Sequence, residues 1–339
     1  MREKPGKNRS MHVMSKTRLV KAVPGAAQAA AECLSRGGLV AFPTETVYGL
    51  GADATDGQAV ARLYDAKGRP AFNPLIAHVP DLDAARELAV FNTDAERLAA
   101  AFWPGPLTLV LPRTVTCPVS ELATAGLDSI AIRVPDHALA RTILRAFGRP
   151  IVAPSANISG HVSPTNAAHV LEDLDGKIDL IVDGGPAPVG IESTIVACLD
   201  APVILRPGGL SREQIEATLR HGLAQTVESQ DETPLAPGLL QSHYAPRTAV
   251  RLNATSVAPG EVLLAFGTPL PGAKASLNLS EKGDVGEAAA NLFGHLRRLD
   301  AMRAPSIAVM RIPSEGLGEA INDRLRRAAA PKVIPASSS

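Results

Sequence analysis

Four cationic side chains stand where short apolar runs give way to polar loops: Lys67 and Arg69 in Lys67-Gly-Arg-Pro70, Arg133 in Ile130-Ala-Ile-Arg-Val-Pro135, and Arg206 in Leu205-Arg-Pro-Gly208. A guanidinium is a planar fork and an ammonium a point charge, and both suit phosphate or carboxylate groups. Lys67 and Arg69 flank a glycine in a loop stiffened by Pro70, with Asn73-Pro-Leu75 and His78 close behind. Read alone, such a loop serves equally as a solvated basic turn. Arg133 sits in an apolar strand and, if buried, needs a partner, either a structural carboxylate or that of a substrate. Arg206 faces the same choice.

Two hydroxyl-rich segments accompany these cations. Phe42-Pro-Thr-Glu-Thr-Val-Tyr-Gly-Leu-Gly51 breaks from a strand into polar residues and then glycine. Ligands of open α/β sheets bind outside the carboxyl ends of strands, which places Thr44, Thr46 and Tyr48 to meet one, although a threonine-capped strand-to-helix turn fits too. Pro154-Ser-Ala-Asn-Ile-Ser-Gly160 follows the strand Ile151 to Ala153 and can form either an anion nest or an ordinary Asn/Ser turn. Ser155 is not placed as an acyl nucleophile, since GxSxG is missing and no His/Asp pair is recognisable beside it. The chain also lacks GxxxxGK[ST], GxGxxG and HExxH, so a nucleotide would bind by another arrangement. Together the cations and hydroxyls argue for one concave site holding more than one anionic group.

The elements that must position them alternate. Apolar runs at Leu39 to Phe42, Leu75 to Val79, Leu107 to Leu111, Ile130 to Val134, Ile151 to Ala153, Leu180 to Val182, Thr194 to Ala197 and Val203 to Leu205 read as buried strands. Helical patterns lie between several of them, at Asp81 to Ala89, Asp94 to Phe102, His137 to Phe147 and Asn166 to Leu174. Ser211 and Gln214 form a capping box for a helix running to Arg220. The alternation predicts an α/β fold with a mixed sheet. Residues 1–23 read as a basic tail, 24–221 as a first domain, 222–246 as a linker or lid, 247–334 as a second α/β domain and 335–339 as a tail. In the second domain Glu261 to Phe266 and Ile307 to Ile312 are expected as strands, and Val285 to Met302 and Leu317 to Ala329 as helices.

Composition sets the outer limits. At 339 residues, about two domains are expected, and 45% hydrophobic with 20% charged residues is ordinary globular usage. Lys+Arg 34 against Asp+Glu 34 leaves no net charge, so no bulk field draws the molecule to nucleic acid or membrane. Cys33, Cys117 and Cys198 form no CxxC pair, which argues against a disulfide framework and a thiolate zinc site and favours a reducing cytoplasm. No apolar run approaches the roughly 18 residues of a spanning helix, and no signal-peptide pattern opens the chain.

The order of motifs resembles that of YrdC-like threonylcarbamoyl-AMP synthases. Phe42 to Ala52, Lys67-Gly-Arg-Pro70, Asn73-Pro-Leu75, Trp103-Pro-Gly-Pro-Leu-Thr108, Arg133-Val-Pro135, Pro154 to Gly160, Ser193-Thr-Ile-Val196 and Leu205 to Gly208 carry the likeness. The K-x-R and S-x-N pair is that family's signature. Ala236-Pro-Gly-Leu-Leu-Gln-Ser-His-Tyr-Ala-Pro246, Ala290 to Asp300 and Gly318 to Leu325 resemble the linker and small second domain of its long form. The resemblance implies a YrdC-like twisted mixed sheet with flanking helices and a central basic concavity, plus a small Rossmann-like C-terminal domain.

It implies, too, a reaction joining L-threonine, bicarbonate and ATP into threonylcarbamoyl-AMP with release of pyrophosphate, for modification of the adenosine beside the tRNA anticodon. By motif, Thr46, His78, Arg133, Ala153 and Ser193 would hold threonine, Arg133 on its carboxylate and Ala153 through main-chain atoms. Arg69, Asn73, Ser129, Ser155, Ser163, Arg206 and, in a closed linker, Tyr244 would hold ATP. Lys67, Arg69, Ser155 and Asn157 are the expected catalytic set, and loss of Lys67 or Arg69 is expected to abolish adenylation with the fold intact. Mg²⁺ would ride on the ATP phosphates with no protein ligand. A downstream tRNA threonylcarbamoyl transferase is the expected recipient, and direct tRNA contact is left open. Two rivals remain: a double-stranded RNA binding module, weakened by zero net charge and 3% aromatics, and a carbamoyl-adenylate-forming carbamoyltransferase, weakened by the lack of cysteine-rich zinc modules.

Overall fold

The computed structural model describes residues 16–224, 236–237 and 244–331. Residues 1–15 of the expected basic tail, the expected tail 335–339, and most of the expected linker including His243 lie outside the described residues.

The first part of the described chain comprises β1 (Arg18–Lys21), α1 (Ala26–Ser35), β2 (Val40–Pro43), β3 (Tyr48–Asp53), α2 (Gly57–Lys67), β4 (Ile76–His78), α3 (Leu82–Leu88), α4 (Thr93–Phe102) and β5 (Leu107–Pro112). It continues with α5 (Glu121–Thr124), β6 (Ser129–Arg133), α6 (Ala138–Phe147), β7 (Ile151–Val152), α7 (Ala167–Leu174), β8 (Leu180–Asp183), β9 (Thr194–Ala197), β10 (Val203–Arg206) and α8 (Arg212–Leu219). Side-chain caps start these helices where the sequence offers a short polar residue. Asp56, Asp81, Asn92 and Asn166 each accept a backbone N–H of the first turn. Ser211 and Gln214 close the expected reciprocal capping box.

The strands form one mixed sheet in the order β1-β8-β2-β3-β7-β4-β6-β5-β9-β10. Side chains alternate between its faces, and the two faces are covered differently. One takes Leu109, Ile130, Ile132, Val196 and Ile204, which pack with α2, α3, α4 and α8. The other divides in two. Over β2, β7 and β8 it is covered by α1 and α6, through Leu34, Ile143, Leu144 and neighbours. Over β4, β6, β5 and β9 its apolar residues Ile76, Ala131, Val110 and Ile195 cluster with Ala236 instead of a helix. This helix-free half-face is where the site lies.

Two sequence expectations are corrected. The sheet begins at Arg18, inside the segment read as a tail, because Arg18–Lys21 pairs parallel with β8 as an edge strand. Its basic, largely exposed residues hid it, as charge on sheet edges does. The polar segment after Phe42 is no strand-to-helix turn but a hairpin, with Val40 to Pro43 antiparallel to Tyr48 to Gly51. The Thr44 hydroxyl holds its tip, donating to Val47 O at 2.7 Å and accepting from Thr46 N and Val47 N.

The second part contains β11 (Ala249–Arg251), β12 (Val262–Ala265), β13 (Ser276–Asn278), α9 (Val285–Ala301), β14 (Ser306–Val309) and α10 (Gly318–Ala329). Its four strands form a parallel sheet, β11-β14-β12-β13. The core around Leu292, Phe293 and Ile321 also takes in Val47, Ile191 and Tyr244, so the second unit packs on the wall of the first. Gly190, with φ +77, shows how closely: a Cβ there would lie 2.5 Å from Ala290 Cα of α9. Among the described residues no helix is long and apolar enough to cross a membrane.

Candidate active site

Parallel pairing of β4 with β6 sets His78 beside Arg133, and antiparallel pairing of β4 with β7 leads the chain out at Ala153, whose N–H donates to Ile76 O at 3.1 Å. Ile76, His78 and Arg133 therefore share the helix-free half-face, with Ala153 at its rim. Arg206 reaches the same place by an irregularity: strict alternation from Ile204 would turn it to the opposite face, but the β10–β9 register shifts between Ile204 and Arg206. Such bulges re-aim side chains. The result is a cavity of about 50 Å³ lined by Arg69, His78, Arg133 and Arg206, by Ser155 and Ser193, and by Ala153 and Tyr244. Val47, Ile76, Pro154, Glu192 and Pro237 complete the wall.

The three arginines are buried, at 8%, 4% and 4% exposure for Arg69, Arg133 and Arg206, yet among the described residues only Arg133 has a carboxylate of its own, Glu45 Oε1 at 2.7 Å. Arg69 donates to the carbonyls of Asn73 and Pro74. Arg206 donates to Ser193 O, Ser193 Oγ and Pro237 O. Burial pulls the Arg69 pKa down to about 10 and lowers that of Arg206 as well. Buried cations held by neutral acceptors are costly unless an anion meets them, and this cavity offers two of them on its wall.

His78 is a neutral wall residue. Burial first, and the Arg133 charge second, pull its pKa from 6.5 to about 3, while Nδ1 lies 3.2 Å from Ile76 O. The unfolded chain takes up this proton near pH 6.5 and the folded chain only near pH 3. The neutral His78 thus contributes stability that is complete above pH 6.5 and lost as pH falls towards 3. Between pH 7 and pH 5 the loss from this group is expected to be about 2 kcal/mol. Denaturant unfolding at the two pH values checks it, with His78→Gln expected to flatten the dependence by that amount.

Other predicted residues stand around the cavity without lining it. Lys67, at 2% exposure, donates from Nζ to Ser155 O at 2.5 Å and to Asn157 O, and its own carbonyl accepts from Ser159 N. Burial, then Arg69, draws its pKa well below the usual value. Lys67 thus ties the end of α2 to the loop presenting Ser155, beside its expected catalytic role. Asn157 braces that loop through Nδ2 to Ile158 O and His161 O. Thr46 Oγ1 is engaged with Thr44 Oγ1 at 2.8 Å. Asn73 is 1% exposed and neither amide atom has a hydrogen-bond partner among the described residues, a state that calls for a ligand or water. Ser163 donates to Glu192 rather than facing the cavity. Ser129 opens β6 and so lies about 13 Å of strand from Arg133.

The sequence reading passed over Glu45, Glu192 and Arg324. Glu192 Oε2 accepts from Arg324 Nε at 2.9 Å, across the two units. One signal was present: Arg324 follows Ile321 by three residues and precedes Leu325 and Ala328 on the buried face of α10, where an amphipathic helix carries apolar side chains. A larger cleft, about 880 Å³ and lined by His161, Asp173, Arg297 and Arg303 among others, lies elsewhere and holds none of the predicted site residues. Among the described residues no group of three or more His, Cys, Asp or Glu gathers as a metal site.

Comparison with known proteins follows this geometry. A family profile described as telomere recombination matches residues 32–208, and one described as the threonylcarbamoyl-AMP synthase C-terminal domain matches residues 210–330. The chain is 43% identical to the threonylcarbamoyl-AMP synthase of Bacillus subtilis, over 92% of this chain and 94% of that protein. It is likewise 43% identical to the Pyrococcus abyssi enzyme of the same name, over 90% and 94%. The crystal structure of P. abyssi Sua5 complexed with L-threonine superposes with a TM-score of 0.85 at 39% identity, covering 93% of this chain and 98% of that one. A second P. abyssi Sua5 structure, carrying two alanine substitutions, gives 0.83 at 37% identity, over 92% and 96%.

Proposed function

Since the chain belongs to the threonylcarbamoyl-AMP synthase family in its long, two-domain form, we propose that it converts L-threonine, bicarbonate and ATP into L-threonylcarbamoyl-AMP and pyrophosphate, and that the small cavity is where it does so. The observation that carries this reading is the convergence of Arg69, Arg133 and Arg206 with His78, Ser155 and Ser193 on one helix-free half-face. Arg133, steadied by Glu45, takes the threonine carboxylate. Arg69 and Arg206 meet phosphate oxygens, with Ser155 and the unsatisfied Asn73 amide beside them. The neutral His78, Ser193 and the main chain at Ala153 contact the amino acid.

The threonine amine attacks bicarbonate or the CO₂ derived from it, and water departs. A carbamate oxygen then attacks the α-phosphorus, and the electron pair of the breaking P–O bond leaves with pyrophosphate. A carbamate falls apart if released, so confinement matters: fixing both partners supplies an advantage of up to ~7–11 kcal/mol. No covalent enzyme intermediate is required. The cavity, at about 50 Å³, is far below the roughly 300–1,000 Å³ of ligand pockets, so Pro237 and Tyr244 shift to admit substrates and return over them. Mg²⁺ fits as a companion of the nucleotide, since Glu192, the carboxylate in the wall, already has both oxygens engaged. When bound it neutralises phosphate charge and eases pyrophosphate departure. A cytoplasmic setting and hand-over to a tRNA threonylcarbamoyl transferase complete the reading.

Mass spectrometry of the product from ATP, ¹³C-bicarbonate and a panel of amino acids tests it. A labelled threonylcarbamoyl adenylate formed with threonine supports the reading. Pyrophosphate release that ignores threonine, or salt-sensitive RNA binding without turnover, overturns it.

A further inference from the structure

We propose that Arg324, contributed by the C-terminal unit, is a positioning residue for nucleotide: it occupies Glu192 so that Arg206 stays open to phosphate, and it seats Tyr244 against the cavity. The inference rests on the reading of the cavity given above.

A guanidinium at 0% exposure on the apolar face of a helix is expensive to bury. Arg324 donates from Nε to Glu192 Oε2 at 2.9 Å and from Nη1 to Asp323 Oδ2 at 2.6 Å, while Nη2 has no hydrogen-bond partner among the described residues. Its guanidinium carbon lies 4.9 Å from the Tyr244 ring centroid, and Phe293 stacks on that ring at 5.7 Å. Tyr244 holds φ 60, a left-handed conformation uncommon for a bulky residue, so its place depends on such contacts.

The electrostatic argument concerns Glu192, the only carboxylate in the cavity wall among the described residues. Burial opposes its charge, but Arg324, then Arg206 and the Ser163 hydroxyl, hold its pKa below the ordinary value. With Ser163 on one oxygen and Arg324 on the other, Glu192 leaves Arg206 to the neutral acceptors Ser193 and Pro237. Remove Arg324, and the cation on the shared wall whose charge still acts on Glu192 is Arg206. The carboxylate would then compete with phosphate for it. Gly208 packs closely against this segment, since a Cβ there would lie 2.4 Å from Glu192 O.

Calorimetric titration of the full chain with ATP decides the matter. Arg324→Met is expected to weaken ATP binding at least 10-fold while changing threonine affinity less than 3-fold. The double variant Arg324→Met/Glu192→Gln, which removes the competing charge too, is expected to return within about 3-fold of wild type. A double variant as weak as the single one reduces Arg324 to packing and overturns the proposal, as does unchanged ATP affinity in Arg324→Met. Should Arg324→Met fail to fold, Arg324→Lys keeps a cation by Glu192 but gives up the fork and the stacking. It is expected to weaken ATP 3- to 10-fold, and wild-type affinity would again overturn the idea. A wild-type chain that binds no ATP fails the reading of the cavity instead.

Discussion

Arg133→Met is expected to abolish threonine-dependent pyrophosphate release, lowering kcat/KM for threonine by 10²–10⁴. Truncating one member of a buried, hydrogen-bonded charge pair costs about 2–5 kcal/mol, and the proposed site forms one such pair between Arg133 and substrate, beside the ion pair of Arg133 with Glu45. The same substitution leaves the Glu45 carboxylate, 7% exposed, without its cation, at a cost of about 3–5 kcal/mol in stability. The two effects separate in Arg133→Met/Glu45→Gln. That double variant should regain most of the melting temperature and none of the threonine response, read by thermal melting and a pyrophosphate assay. Recovery of both would mean that Arg133 serves only the fold.

Arg69 and Lys67 are expected to part company although one residue separates them. Arg69→Met loses a cation that lines the cavity and donates to carbonyls four and five residues on, so kcat/KM for ATP should drop 10²–10³-fold, about 2.7–4 kcal/mol, with a smaller loss in melting than Lys67→Met. Lys67→Met loses two donations into the Ser155 to Asn157 loop, and should cost about 2–4 kcal/mol of stability as well as activity. Equal melting temperatures for the two variants would contradict the separate roles.

How much of this was visible beforehand follows from what each feature depends on. Local chemistry was readable: Asn166 and Ser211 announce their helices by capping, and the short apolar runs Leu107 to Leu111 and Ile130 to Val134 place those strands. Features set by neighbours were not. β3 carries Gly49 and Gly51, which weaken a strand signal, and Gly51 is there because a Cβ would lie 2.8 Å from the Phe42 ring. The helix α2 was overlooked although Asp56 caps it and Ala59, Val60, Leu63 and Tyr64 form a buried stripe. Motifs identify Lys67 and Arg69 alike, and both meet backbone carbonyls, but only packing brings Arg69 to the cavity wall as well. Arg206 depends on a register shift, and Glu192 with Arg324 on a contact spanning 132 residues. Neither leaves a local trace that spacing alone could decode.

The central claim is that amino acid and nucleotide share the chamber beneath Pro237 and Tyr244. The most direct measurement is a crystal structure of the full chain with L-threonine and a non-hydrolysable ATP analogue. The account predicts the threonine carboxylate on Arg133 and phosphate oxygens on Arg69 and Arg206, in one cavity widened by movement of Pro237 and Tyr244. Nucleotide seated in the cleft between His161 and Arg303, or the two ligands in separate hollows, would contradict it.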